Sequence, residues 1–157
     1  YALSKLEREG LLEVVITQNI DGLHQMAGSK NVIELHGNEN RYICVKCGKV
    51  YDMRYVMDCE GIPLCSCGGV LKPDVVLYGE ALKERDLGRA VQYAYDADLM
   101  IVGGTSLVVY PVAGLVQYLC KEAKLVILNR DPTPYDSRAQ LILREDLAEV
   151  LADTADL

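Results

Sequence analysis

The sequence predicts an α/β protein: a Rossmann-like parallel sheet, incomplete at the N-terminus, interrupted by a small inserted zinc-binding module. Three observations predict it. Short apolar runs such as "VVIT", "LMIV" and "LVIL" alternate with helix-length segments, the pattern of parallel strands covered on both faces. The alternation lapses over residues 38–80, where glycines and tyrosines replace the apolar runs. Four of the six cysteines crowd into that lapse as two close pairs. The expected divisions are 1–37 for the first part of the Rossmann-like domain, 38–80 for the insert and 81–157 for the second part.

Each element has its own signal. The chain opens at Tyr1 within an amphipathic helix, "ALSKLEREG", that stops at Gly10. "LEVVITQN" is a β-branched run suited to a buried strand. "DGLHQMAGSKN" reads as one or two helical turns and "VIEL" as a second strand. Residues 38–80 lack periodicity and need a staple in place of a conventional core. Beyond them, "LKERDLGRAVQYAYDA" predicts a helix, "DLMIVGGT" a strand and glycine turn, and "VYPVAGLVQYLCKEA" a helix. "KLVILNRD" and "AQLILRED" follow as strands, and "LAEVLADTADL" as a last helix.

Composition narrows the class. At 157 residues the chain has the length of one domain, half apolar and a quarter charged. Its net charge of −7 argues against non-specific attraction to nucleic acid or anionic membrane. No apolar run approaches the ~18 residues of a membrane span, and no signal segment opens the chain. Paired cysteines without such a signal read as metal ligands in a reducing compartment, so the expected location is cytoplasmic.

The cysteine pattern is C-x2-C at Cys44 and Cys47, seventeen residues, then C-x-C at Cys65 and Cys67. Tetrahedral zinc takes four soft ligands, and two short knuckles supply two thiolates each. Gly48 and Gly68–Gly69 follow the pairs, where the backbone curls around the metal. The single spacer of the second pair is irregular, so Cys59 stands as an alternative to one of those ligands. Iron fits less well, because rubredoxin-like pairs have two spacers each. Four thiolates close the coordination sphere, so the metal is expected to be structural.

Three predicted strands end in polar loops, at the edge where doubly wound sheets bind ligands. "TQNIDGLH" carries Gln18, Asn19 and Asp21; "GGTSL" opens onto a helix whose amides attract phosphate; "LNRD" offers Asn129 to a ribose hydroxyl. Each has a plainer reading: Asp21 as a turn cap, "GGTS" as a tight turn, Asn129 as turn chemistry before "DPTP". Together at one edge they suit a dinucleotide. His36 ends "VIEL" at the same edge, and a neutral imidazole there is placed to accept a proton. His24, within a helical turn, is read as structural.

"TQNIDGLHQMAG", "ELHGN", the cysteine quartet, "KPDVVLYGE", "GGTSLVVYP" and "LVILNRD" resemble, in order, the motifs of the sirtuins, and the short loops resemble the bacterial type. The resemblance implies an NAD-dependent protein lysine deacylase acting on acylated lysine in proteins or peptides. In that family the residue matching His36 is the general base. The acyl oxygen attacks the nicotinamide ribose, nicotinamide leaves, and lysine and O-acyl-ADP-ribose are the products. Residues matching Gln18, Asn19, Ile20 and Asp21 line the nicotinamide–ribose pocket. Those matching Gly104, Thr105, Ser106 and Asn129 hold the phosphates and adenosine, with Asp146 and Leu147 near adenine. Val75, Val76, Leu77, Tyr78, Gly79 and Glu80 resemble the loop that pairs with substrate backbone, a β-augmentation.

Two departures stand out. Tyr78 replaces the usual phenylalanine. The glycine-rich loop and following arginine that grip the NAD diphosphate are not in the sequence, so this polypeptide alone is expected to bind NAD weakly and turn over little. The alternatives are a zinc-stapled, non-enzymatic interaction module and an ADP-ribosyl transferase.

Overall fold

A computed structural model describes residues 1–156. Helix α1 (Ala2–Arg8) ends as expected, with Gly10 in the left-handed region at φ 73°. Strand β1 (Val15–Thr17), the single turn α2 (Leu23–Met26) and strand β2 (Val32–Glu34) follow. β1 and β2 pair in parallel, Val15 opposite Val32 and Thr17 opposite Glu34. The Glu7 carboxylate accepts the backbone N–H groups of Lys30 and Asn31, fastening α1 to the loop that feeds β2.

The insert is more regular than its composition suggests. Strands β3 (Gly37–Cys44), β4 (Val50–Asp52) and β5 (Leu71–Val75) form an antiparallel sheet in the order β4-β3-β5, with helix α3 (Met53–Met57) beside it. The Asp52 carboxylate caps α3 by accepting the Tyr55 N–H at 2.9 Å. No alternation announces these strands because their buried cluster is only Cys44, Cys65 and Leu71. The β3–β5 register also shifts between Asn38 and Tyr42, which breaks any period of two.

Helix α4 (Glu84–Asp96) leads back to parallel structure: β6 (Leu99–Gly103), β7 (Lys124–Leu128) and β8 (Leu141–Leu143), in that order. Helix α5 (Leu147–Thr154) is capped by Asp146, whose carboxylate accepts the Ala148 N–H at 2.9 Å. The Rossmann-like α/β class is as predicted. Among the described residues, however, hydrogen bonds form two separate parallel pieces, β1–β2 and β6–β7–β8, where one sheet was expected.

The segment expected as a helix over "VYPVAGLVQYLCKEA" is instead a 3-10 helix, Val112–Tyr118. Two hydrophobic clusters flank it. Val112 and Leu115 enter the cluster of Ile33, Leu35 and Ala90, while Ala113, Val116 and Leu119 enter that of Leu125 and Ile127. Both sets repeat every three residues, the period of a 3-10 turn. The two clusters together select the tighter winding.

Candidate active site and metal centre

The four sulfurs of Cys44, Cys47, Cys65 and Cys67 lie within 4.8 Å of one another. Neighbouring pairs are 3.4 to 3.6 Å apart. Tetrahedral zinc with bonds of ~2.3 Å sets its sulfurs about 3.8 Å apart, so the quartet fits structural zinc with a small expansion. Gly48 and Gly68 hold positive φ, as the knuckles require. Gly69 is more constrained: a Cβ there would meet the Cys44 sulfur at 2.6 Å. Cys59 stands apart, its thiol donating to the Tyr55 carbonyl at 3.2 Å.

The donors around the sulfurs stabilise thiolate. The Cys67 N–H and the Tyr51 hydroxyl both point at Cys65 and bring its thiol down to about 5. Cys67 is pushed up to about 12, because the crowding of Cys47, Cys65 and Cys44 outweighs the Gly69 N–H that favours its thiolate. Four sulfurs this close share their negative charge poorly without a cation.

His36 sits where β2 passes into β3. Its Nδ1 lies 3.1 Å from the Gln18 carbonyl oxygen. A carbonyl only accepts, so Nδ1 carries a proton, and in the neutral ring the lone pair is then on Nε2. The His36 carbonyl in turn accepts the Val76 N–H at 2.9 Å. Gly37 packs so closely on β5 that a Cβ would stand 1.8 Å from the Asp74 carbonyl oxygen, and its φ is 86°. The glycine after His36 is thus fixed by contact with the opposite strand.

From Gln18 the contacts continue across the gap between the parallel pieces. Its side-chain amide donates to the Thr105 hydroxyl at 3.3 Å, and that oxygen also accepts the Leu107 N–H at 3.3 Å. Leu107 is buried with φ 54°, an unusual conformation for a branched side chain. Asn19 and Ser106 are exposed nearby in sequence, and the Ile20 carbonyl accepts the Glu39 N–H at 2.9 Å. Asp21 accepts the Leu23 N–H at 3.0 Å, the turn-cap geometry of its plainer reading.

A second group of the predicted residues lines a cavity of about 1250 Å³: Gly104, Asn129, Asp146 and Leu147. His36, Gln18 and Ser106 are outside its lining. Leu147 rests against Gly103 and Gly104, and Gly104 has φ 62°. The Asn129 amide donates to the Asp131 carbonyl at 2.9 Å, again the turn chemistry. Asp146 pairs with Arg130 at 2.8 Å while capping α5; the Ala148 and Glu149 amides, then Arg130, hold its carboxyl below the usual range. The opposite wall is α1 and the α2 turn, where the Ser29 hydroxyl is buried without a partner.

The substrate-loop residues divide as well. Val75 closes β5 and Val76 prolongs its pairing by one hydrogen bond. Leu77, Tyr78, Gly79 and Glu80 make a turn, closed by the Glu80 N–H to the Leu77 carbonyl at 2.9 Å, with Tyr78 fully exposed. Glu80 bonds Lys72 at 2.7 Å and accepts the Leu77 N–H; both lower its carboxyl, Lys72 the more.

Sequence reasoning missed four polar residues beside His36. Asp74, 7 % exposed, takes Arg41 Nε at 2.7 Å and Lys83 Nζ at 2.6 Å. Glu34 takes Arg41 at 3.4 Å, together with the amides of Gln25 and Asn38. Charged residues scattered over fifty positions carry no local signal of meeting; only the fold reveals it.

An α/β chain of Rossmann-like fold, with an antiparallel insert whose four cysteines could hold zinc and a histidine at their junction, is thereby defined. The chain belongs to the Sir2 family, whose model matches residues 1–111. It is 52% identical over 153 residues to an NAD-dependent protein deacetylase of Clostridium tetani, covering 96% of this chain and 62% of that protein. It is 49% identical over 156 residues to that of Clostridium perfringens, covering 99% and 64%. A solved sirtuin complex of Sir2 with a p53 peptide and NAD+ superposes with TM-score 0.89 at 44% identity, over 99% of this chain and 67% of the other. The chain thus spans a little over three-fifths of the length of these curated relatives.

Proposed function

We propose that this chain carries the catalytic histidine, the zinc module and much of the cofactor pocket of an NAD-dependent protein lysine deacylase. The relatives are named NAD-dependent protein deacetylases, and solved neighbours hold a p53 peptide with NAD+ or a propionylated peptide. The single observation that carries the reading is the state of His36: its Nδ1–H is committed to the Gln18 carbonyl, which leaves Nε2 as an acceptor.

NAD, when bound, supplies the ribose carbon that the acyl oxygen attacks and a leaving nicotinamide. The chain's residues serve that chemistry in separate ways. His36 Nε2 takes a proton from a ribose hydroxyl, while Gln18, whose carbonyl holds the ring, and Asn19, Ile20 and Asp21 after it would border the nicotinamide ribose. Thr105 and Ser106 would offer their hydroxyls to phosphate, and Gly104, whose own N–H is spent on the Leu128 carbonyl, would let the backbone come close. Asn129, Asp146 and Leu147 border the adenosine end, where the apolar walls suit a purine base. Val75 and Val76 offer backbone to the acyl-lysine peptide, and Leu77 to Glu80 border it.

Cys44, Cys47, Cys65 and Cys67 would hold zinc, which with four thiolates would brace the insert and leave no open position for the chemistry. Free thiol pairs suit a reducing compartment, and we place the protein in the cytoplasm. No helix among the described residues is long and apolar enough to cross a membrane.

The test is nicotinamide release and peptide deacetylation, followed by mass spectrometry, for the chain and its His36→Ala variant. Loss of a general base lowers turnover about 10²–10⁴-fold. The variant is expected to show that loss while keeping its zinc and its peptide affinity. Undiminished turnover in the variant, against a measurable turnover in the parent chain, would refute the role of His36.

A further inference from the structure

The polar residues beside His36 form one continuous ionic chain, Lys83–Asp74–Arg41–Glu34, and its members come from four segments. Lys83 is the N-cap residue of α4, Asp74 lies in β5, Arg41 in β3 and Glu34 in β2. A cation is misplaced at a helix N-terminus. The Lys83 ammonium turns instead onto both Asp74 oxygens, at 2.6 and 2.8 Å. Asp74 is buried and Glu34 largely covered, with side chains 7 % and 10 % exposed, while Arg41 and Lys83 keep about two-fifths of theirs in water.

The chain brackets the histidine on both sides. Glu34 stands two residues before His36, and Asn38, two residues after, donates to the same Glu34 carboxylate. Asn38 also lies opposite Asp74 in the β3–β5 register. Two residues beyond Asp74, the Val76 N–H reaches the His36 carbonyl. The ring can keep its Nδ1–H on the Gln18 carbonyl only while the backbone at 36 stays in place between β2 and β5.

We propose that Asp74 is a positioning residue: through Arg41 and Glu34 on one side and Val76 on the other, it holds His36 in the Nδ1–H tautomer that leaves Nε2 free. This rests on the reading of His36 as the base. The depressed Asp74 carboxyl agrees with it: although burial acts the other way, Lys83 and then Arg41 keep the group ionised.

Long-range proton–nitrogen correlation spectra of the zinc-loaded chain test the proposal without cofactor or turnover. The sequence has only two histidines, so His24 is an internal reference. In the parent chain the His36 ring is expected as one Nδ1–H tautomer. In Asp74→Asn it is expected to give a mixture, with the Val76 amide exchanging at least about tenfold faster and His24 unmoved. Arg41→Met should repeat this effect and Arg41→Lys should restore most of the parent signature.

An unaltered His36 tautomer in a folded, zinc-loaded Asp74→Asn chain would overturn the proposal. Should that variant fail to fold, Arg41→Met against Arg41→Lys decides by the same signals. The outcomes separate from the catalytic reading: a tautomer change in Asp74→Asn together with undiminished turnover in His36→Ala would retain the positioning and remove the base.

Discussion

The insert and the 81–156 region differ in what replaces a large core. The second parallel piece buries Leu125 and Ile127 almost completely and surrounds them with Leu107, Ala113, Val116 and Leu119. The insert buries Cys44, Cys65 and Leu71, while Val45, Met57 and Ile62 remain in water. One region is held by apolar area; the other has little of it and brings together four sulfurs that could hold zinc. Hydrophobic burial returns roughly 25 cal/mol per Å². A structural zinc site has an apparent binding energy of about 10–16 kcal/mol, enough to replace several buried side chains.

Metal removal should therefore give the largest effect and divide the molecule. With a strong chelator present, amides of β3 and β5 are expected to lose about a thousandfold or more of their hydrogen-exchange protection. Those of β6 and β7 should change only a few-fold. Equal loss in both regions would mean that they unfold as one unit. Cys44→Ser should behave like the chelated protein, and Cys59→Ser like the parent, because the Cys59 thiol bonds the Tyr55 carbonyl outside the quartet.

The converse experiment acts on the apolar region. Ile127 is fully buried, so Ile127→Ala leaves a cavity that costs about 2–5 kcal/mol. The urea midpoint should fall accordingly while the zinc stoichiometry stays at one per chain. A loss below ~1 kcal/mol would show that the cluster repacks freely.

The two regions also differed in how much of them was legible in the sequence. β1, β2, β6, β7 and β8 were visible because "VVIT", "VIEL", "LMIV", "LVIL" and "LIL" are continuous apolar runs, as parallel strands require. The zinc quartet was visible because its ligands sit close together along the chain. β3 was not, since "GNENRYIC" is a mostly half-buried strand without apolar alternation, and its register shifts midway. The 3-10 segment was misread because its period is set by two clusters on either side of it. At the candidate site, His36 stood out by its place after an apolar run. Asp74 and Arg41 were invisible, because the contact between them spans thirty-three residues and has no motif.

Acid should weaken the junction of the two regions. The folded-state carboxyl of Asp74 titrates below its ordinary value, and the unfolded chain's near ~3.9. A group depressed by folding stabilises the fold above the unfolded value, and that contribution disappears as pH falls through the folded one. Urea midpoints should accordingly decline below about pH 4 in the parent chain. In Asp74→Asn the decline should be shallower. Parallel curves for the two proteins would place the acid sensitivity elsewhere.

The smallest expected effect is on the exposed turn at the end of the insert. Lys72 and Glu80 bond at 2.7 Å, yet both are more than a third exposed. Exposed pairs are worth about 0–1 kcal/mol and weaken with salt. Lys72→Met should therefore leave the urea midpoint nearly unchanged. Yet Glu80 also receives the Leu77 N–H, so the pair shapes the turn that borders Val75 and Val76. Acyl-lysine peptide binding by this variant, measured by titration calorimetry at low and high salt, should weaken a few-fold at low salt and match the parent at high salt. A peptide affinity indifferent to Lys72 at both ionic strengths would show that the turn is held by its backbone hydrogen bond alone, with the insert contributing its strand edge and nothing of its surface charge.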